Sequence, residues 1–298
     1  MIQSMDRFLV EFKKRHAEPV IPSFSQILAE DRLVEMVPKM DGWIIGDDPA
    51  TARVFQAGVR GRLKAAVKWG VGVDNVDFQG AKACGLDVVN TPGMFCEEVS
   101  DVALGYLIGL ARDLFRIDRE VRAGVWPKPV GCSLQEKTAG IIGFGSIGQA
   151  TARKLLALGL KVSVYDPLLR PDLSLPVEPL PWPAILKQAD FLVFTCALTA
   201  SSRGMLNAKT LSACKKGVRV INVGRGPLVD QAALVEALKS GLVAGAALDV
   251  FTEEPLPEDS PLRGFPQCVF GSHNSSNTLE AVEKTSLRAI QLLFERLA

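Results

Sequence analysis

Histidine is scarce in this chain: 298 residues carry only two, at positions 16 and 273. Histidine is the side chain best suited to exchange a proton near neutrality, so such chemistry has only two possible locations. His16 stands in the charged segment Lys13-Lys14-Arg15-His16 and reads as a solvated surface residue, which leaves His273. An excess of either charge is also missing. The 34 Lys and Arg against 33 Asp and Glu give a net charge of +1, which removes the electrostatic case for a nucleic-acid partner or an anionic membrane surface. No run approaches the roughly eighteen uninterrupted apolar residues that a membrane span needs. The opening Met1-Ile2-Gln3-Ser4-Met5-Asp6-Arg7 lacks the pattern of a secretory signal, so the expected location is the cytoplasm. The six cysteines, at 84, 96, 132, 196, 214 and 268, form no Cys-x-x-Cys pair. They read as reduced, mostly buried small hydrophobes, with neither a disulfide framework nor a metal site expected.

What the chain does have is glycine in an informative setting. Gly143-Phe144-Gly145-Ser146-Ile147-Gly148 follows the apolar run Ala139 to Ile142 and opens a run of helix formers, Gln149 to Leu158. A strand, a tight glycine turn and a helix together aim backbone N–H groups and a helix N-terminus at a pyrophosphate. A second apolar run, Val162-Ser163-Val164-Tyr165, ends in Asp166, placed to accept from both ribose hydroxyls of an adenosine. The bland reading, an ordinary glycine-rich turn between strand and helix, leaves Asp166 without a purpose. An acid there disfavours a 2′-phosphate, so the expected cofactor is NAD in preference to NADP, with Arg170 the nearest residue able to lessen the discrimination.

The length suits two domains. From Ala139 onward, strand-like runs at 139–142, 161–165, 191–195, 218–223, 243–248 and 268–271 alternate with helical stretches, which predicts a doubly wound parallel α/β sheet of six strands ordered 3-2-1-4-5-6. The first part repeats the pattern on a smaller scale, with candidate strands at 42–46, 63–69 and 86–90. The segment 7–14 leans towards helix, leaving that domain without the opening strand usual in such a fold. Thr91-Pro92-Gly93 is a turn signal and a candidate hinge, whose closure would exclude water. The expected division is a substrate domain over 1–93, a Rossmann-like NAD domain over 94–274, and a final helix in 275–298 returning to the smaller, flavodoxin-like domain. A long helix from about Cys96 to Phe115 is apolar nearly all round. It must be covered on every side, either within the chain or at a subunit interface.

Ligands bind across the carboxyl ends of the strands in such a sheet, which gives three residues a common position. Arg225 lies between Gly224 and Gly226 after the fourth predicted strand, Glu254 follows the fifth and His273 the sixth. A guanidinium matches a carboxylate two bonds at a time and polarises a neighbouring carbonyl. A histidine exchanges the proton that hydride transfer to a carbonyl requires, and a carboxylate beside it favours the imidazolium. Taken singly, an ion pair, a surface acid and a loop histidine remain open for the three. In the first part, Lys68-Trp69-Gly70-Val71-Gly72-Val73-Asp74-Asn75 offers a glycine-rich loop. Its backbone N–H groups at Val71, Gly72 and Val73 could receive a substrate carboxylate, with Lys68 a candidate for a further anion such as a phosphate. A tight turn and a solvated lysine are the plain alternatives.

Together these motifs resemble the D-isomer-specific 2-hydroxyacid dehydrogenase family. The resemblance is carried by Gly70-Val71-Gly72-Val73-Asp74-Asn75, Gly143 to Gly148, Asn222-Val223-Gly224-Arg225-Gly226, Asp249-Val250-Phe251 with Glu254-Pro255, and Ser272-His273. It implies an NAD-dependent enzyme oxidising a D-2-hydroxy acid or running the reverse reaction. Arg225 would bind and polarise the substrate, His273 would be the acid–base and Glu254 its partner. Gly143, Gly145, Ser146, Ile147, Gly148, Asp166, Leu198, Thr199, Val223 and Asp249 would surround NAD. It also implies a homodimer formed through the NAD domain. The pattern is most like the phosphoglycerate-oxidising members, with the glyoxylate and hydroxypyruvate reductase type as the alternative. A catalytically idle NAD(H)-binding scaffold is the rival from another class. Ala197 stands where the family commonly has proline, and Ser272-His273-Asn274-Ser275-Ser276 replaces a more usual proline–histidine run.

Overall fold

A computed structural model of the chain describes residues 2–23, 27–169 and 174–298, the side chains of 2–4 apart. It divides into two compact units, Met1–Phe95 with Asn277–Ala298, and Cys96–Ser276. The divisions fall just past Gly93 and Asn274.

In the first unit, strands β1 (Gly42–Ile45), β2 (Ala65–Lys68) and β3 (Val88–Asn90) form a parallel sheet in the order β1-β2-β3. Side chains of a strand alternate between faces, and β2 shows why both faces are covered. Ala66 joins Ile45 and Val88 in packing against Leu33, Val54, Phe55 and Ala81 from the helices Glu30–Met36, Ala52–Arg60 and Phe78–Ala83. Its neighbours Ala65 and Val67 meet Ala289, Leu292 and Leu293 of the last helix, Leu279–Leu297. Thr51, Asp77 and Thr278 each start a helix by accepting a backbone N–H three residues on, as short oxygen-bearing side chains do at N-caps. The opening segment is a 3₁₀ turn, Ile2–Arg7, and a short helix, Leu9–Lys13. Phe8 and Phe12 pack against Ile290 of the last helix.

Among its described residues the second unit carries seven parallel strands: β4 (Thr138–Ile142), β5 (Lys161–Tyr165), β6 (Glu178–Pro179), β7 (Phe191–Phe194), β8 (Val218–Asn222), β9 (Val243–Leu248) and β10 (Cys268–Phe270). They run in the order β10-β9-β8-β7-β4-β5-β6. The expected six strands therefore need one addition. The third strand is the exposed pair Glu178-Pro179 at the sheet edge, so Phe191–Phe194 is the fourth and the strands before Arg225, Glu254 and His273 are the fifth, sixth and seventh. A two-residue edge strand bearing proline has no apolar run to announce it. The long helix is also shorter than expected. Cys96–Arg112 ends at Asp113, which takes a left-handed φ of 53°, and a second helix, Leu114–Arg122, follows. Val99, Ala103, Leu107, Leu110 and Ala111 are buried within the unit, whereas Leu114 and Phe115 are exposed.

Candidate functional site

The glycine turn begins where β4 ends, and its three glycines answer three different constraints. Gly143 has φ 97°, and a Cβ there would come within 2.5 Å of the Cys196 backbone. A Cβ on Gly148 would come within 2.1 Å of the Gly143 carbonyl oxygen, so helix Ser146–Ala157 packs onto the turn only because position 148 has no side chain. Gly145 differs, with nothing within 4 Å of where its Cβ would stand. That open approach, beside a helix N-terminus lacking any side-chain cap, is what a pyrophosphate requires. Asp166 closes the site at the end of β5. Its carboxylate accepts from the N–H of Phe144 at 2.7 Å and of Leu168 at 2.8 Å. Each oxygen retains a lone pair for a ribose hydroxyl. These residues fit a dinucleotide: Gly145, Ser146 and Ile147 would hold its pyrophosphate and Asp166 its adenosine ribose. Arg170 lies outside the described residues.

Beyond β7, Cys196 flanks the turn, and burial pushes its thiol up to about 12, which keeps it neutral. In the same loop Leu198 is half-buried and packs on the core, while Thr199 is exposed and closes a turn with Ser202. Val223 is buried and donates its N–H to Phe194.

Glu254 and His273 meet. His273 Nδ1 lies 2.7 Å from Glu254 Oε2, and Glu254 Oε1 accepts the Phe251 N–H at 2.8 Å. The bond from Glu254 raises the histidine above its ordinary value, against the opposing effects of burial and of the Arg225 charge. Burial alone would raise the Glu254 carboxyl. The bonds from His273 and Phe251, with the charges of His273 and Arg225, outweigh it and hold the carboxyl below the usual glutamate value. The Arg225 charge thus opposes the rise at His273 and favours the ionised Glu254. Arg225 itself has an extended backbone, its carbonyl accepts from the Asn222 amide at 2.9 Å, and its guanidinium donates to Gly224 at 2.8 Å. Gly226 is required beside it, since a Cβ there would come within 1.9 Å of the Phe251 carbonyl carbon.

Asp249, expected among the cofactor contacts, is 1% exposed. Its carboxylate accepts from the N–H groups of Asn274 at 3.3 Å and Ser275 at 3.0 Å, and from the Tyr106 hydroxyl at 3.4 Å. Its carbonyl accepts the His273 N–H at 2.7 Å. Helical periodicity registers the ring of Tyr106 within the apolar Cys96–Arg112 helix and not the target of its hydroxyl.

In the first unit, Gly70 takes φ 118°, and the fully buried Thr91 grips it, accepting its N–H at 2.8 Å and donating to its carbonyl at 3.3 Å. Asn90 bonds the Val71 carbonyl, and Asn75 bonds the carbonyls of Gly46 and Asp48. The loop is thus tied at both ends. The N–H groups of Val71, Gly72 and Val73 have no acceptor among the described residues. Lys68, by contrast, is only 4% exposed, and its ammonium donates to the Gly46 carbonyl at 2.5 Å and to Asp47 at 3.3 Å. Among the described residues no group of three or more His, Cys, Asp or Glu is placed to hold a metal ion, and no helix is long and apolar enough to cross a membrane.

Residues 104–275 match the sequence profile of the D-isomer-specific 2-hydroxyacid dehydrogenase NAD-binding domain. The chain is 35% identical over 279 residues to a hydroxypyruvate reductase of Thermotoga maritima, covering 92% of this chain and 90% of that protein. It is 38% identical over 261 residues to rat D-3-phosphoglycerate dehydrogenase, covering 86% of this chain but only 48% of that protein, so it spans about half that relative's length. Among solved structures, the TT0316 protein of Thermus thermophilus superposes with a TM-score of 0.89 at 33% identity, covering 99% of this chain and 93% of that one.

Proposed function

The chain belongs to the D-isomer-specific 2-hydroxyacid dehydrogenase family, and from that premise we propose that it interconverts a small D-2-hydroxy acid and its 2-oxo acid with NAD, His273 handling the proton. The observation that carries the proposal is the 2.7 Å pair of His273 and Glu254, which follow strands of the same sheet as the dinucleotide turn. NAD, when bound, supplies the two-electron hydride chemistry. Glu254 occupies Nδ1 of His273 and leaves Nε2 to face the substrate. In the reducing direction Nε2 gives its proton to the C2 oxygen, and water restores it. In the oxidising direction neutral Nε2 takes the hydroxyl proton. Arg225 holds the carboxylate through its planar fork and polarises the C2 carbonyl. Within the first unit, the N–H groups of Val71, Gly72 and Val73 are donors of the kind a carboxylate accepts from.

Lys68 bears on which acid is used. An ammonium already given to Gly46 and Asp47 favours an unphosphorylated acid of the hydroxypyruvate or glyoxylate type. The phosphoglycerate reading rests on the 38% identity and requires Lys68 to exchange those partners for a phosphate. At Asp166, a 2′-phosphate about 4 Å away would be repelled by roughly 4 kcal/mol at an effective dielectric near 20, which favours NAD over NADP. A cytoplasmic homodimer joined through the second unit completes the proposal.

The test is NADH oxidation by the purified protein against hydroxypyruvate, glyoxylate, pyruvate and 3-phosphohydroxypyruvate. Turnover of at least one acid is expected, with His273→Ala abolishing it while NADH binding stays within about twofold. Retained turnover in that variant would remove His273 from the chemistry. Silence of the wild type across the panel, with NADH bound, would instead favour the scaffold reading.

A further inference from the structure

His273 sits at a left-handed φ of 55°, a conformation that costs a non-glycine residue roughly 1–2 kcal/mol and persists only where the surroundings hold it. What holds it can be traced. The His273 N–H is bonded to the Asp249 carbonyl, and the next two N–H groups, of Asn274 and Ser275, are bonded to the Asp249 carboxylate. Asp249 thus grips three successive residues. Its carboxylate is almost fully buried, and a buried carboxylate keeps one orientation only if its remaining lone pairs are also satisfied.

The side chain that meets this need is Tyr106, from helix Cys96–Arg112, whose Oη lies 3.4 Å from Asp249 Oδ1. Burial, then the Asp249 charge, then this bond raise the phenol well above its ordinary value, so it stays a neutral donor. The neighbouring backbone is built to admit it: a Cβ on Gly271 would come within 2.1 Å of Asp249 Oδ1 and 2.4 Å of Tyr106 Oη. We propose that Tyr106 is a positioning residue for His273, acting through Asp249 to hold the 273–275 loop so that Nδ1 stays on Glu254. The proposal rests on the assigned acid–base role of His273 for its effect on turnover, while its structural content stands apart from that role.

Because the chain has only two histidines, the His273 ring can be followed directly by NMR, with His16→Asn leaving a single imidazole signal. In Tyr106→Phe the ring is kept and only the hydroxyl is lost. If the loop relaxes, the bond from Glu254 weakens and the His273 titration moves down toward the ordinary histidine value; the groups acting on it are Glu254, Arg225 and Asp249. The kcat for 2-oxo-acid reduction is expected to fall about fivefold, the size of one ordinary hydrogen bond, with NADH affinity within about twofold. Gly271→Ala, which forces Tyr106 and Asp249 apart, is the second variant and should lower the titration in the same direction, including where the Phe variant does not fold. An unchanged His273 titration in the folded variants would overturn the proposal. A wild type with no turnover would not, since the titration is read without any substrate.

Discussion

At the scale of single residues, the Glu254–His273 pair sets how the enzyme should respond to pH. In the proposed reaction the His273 imidazolium gives its proton to the 2-oxo acid, so the rate of reduction should be held at low pH and lost as pH rises through the raised His273 value. In Glu254→Gln the largest cause of that elevation is removed, and the limb of kcat/KM should move to lower pH, as a pH–rate profile with NADH would read. A limb that stays in place would mean that His273 is not the titrating group. The sign for stability follows from the same shifts. The pair stabilises the fold fully between the ordinary glutamate and histidine values, 4.5 and 6.5. That contribution is lost as pH rises through the raised histidine value or falls through the lowered glutamate value. Both residues were legible in the sequence because each follows a strand that could be read. Asp249 and Lys68 were legible as residue types only, since what a carboxylate or an ammonium touches depends on chain brought from elsewhere: Tyr106 for one, Gly46 and Asp47 for the other.

At the scale of elements, the glycine turn separates packing from binding. Gly145 has an ordinary φ of −70° and open space around its missing Cβ. Gly145→Ala should therefore melt like the wild type while NADH binding, read by fluorescence titration, weakens at least about tenfold, because the methyl stands where the pyrophosphate approaches. Gly148→Ala should lose stability as well, by about 1–3 kcal/mol, because its methyl meets the Gly143 carbonyl at 2.1 Å. Equal NADH affinity in Gly145→Ala and wild type would remove the turn from the cofactor site. Most strands were legible from apolar runs. β6 was not, because two exposed edge residues contribute a ladder and almost no core. The end of the long helix was not legible either: nothing in a continuous apolar pattern marks Asp113 as the residue that turns left-handed.

At the scale of the whole molecule, the second unit exposes a run of apolar side chains after Asp113: Leu114, Phe115, Val121, Val125, Trp126 and Val130, with Trp126 78% and Val130 97% exposed. If these side chains lie side by side they form the kind of apolar surface that marks a contact site, which is what the proposed homodimer requires. Sedimentation or light scattering should give twice the mass of one chain, and Trp126→Glu should shift it toward the monomer without altering the melt of the isolated subunit. A monomeric wild type would refute the dimer. The expectation of a helix covered on every side is met only in part within the chain, where Val99, Ala103, Leu107 and Leu110 are buried.

By itself the sequence determined the α/β class, the glycine turn after β4 and the positions of Arg225, Glu254 and His273 after the ends of three strands. Those features are local: a strand's apolar run, the glycines that end it and the polar residue that follows are contiguous in the chain, and a parallel sheet sends every such residue to the same edge. Only the tertiary structure decided the seventh strand, the commitment of Lys68 to Gly46 and Asp47, the grip of Thr91 on Gly70, and the line from Tyr106 through Asp249 to His273. Each of these joins residues distant in the chain, and a hydrogen bond within about 3.5 Å is a fact of folded distance that no spacing along a sequence encodes.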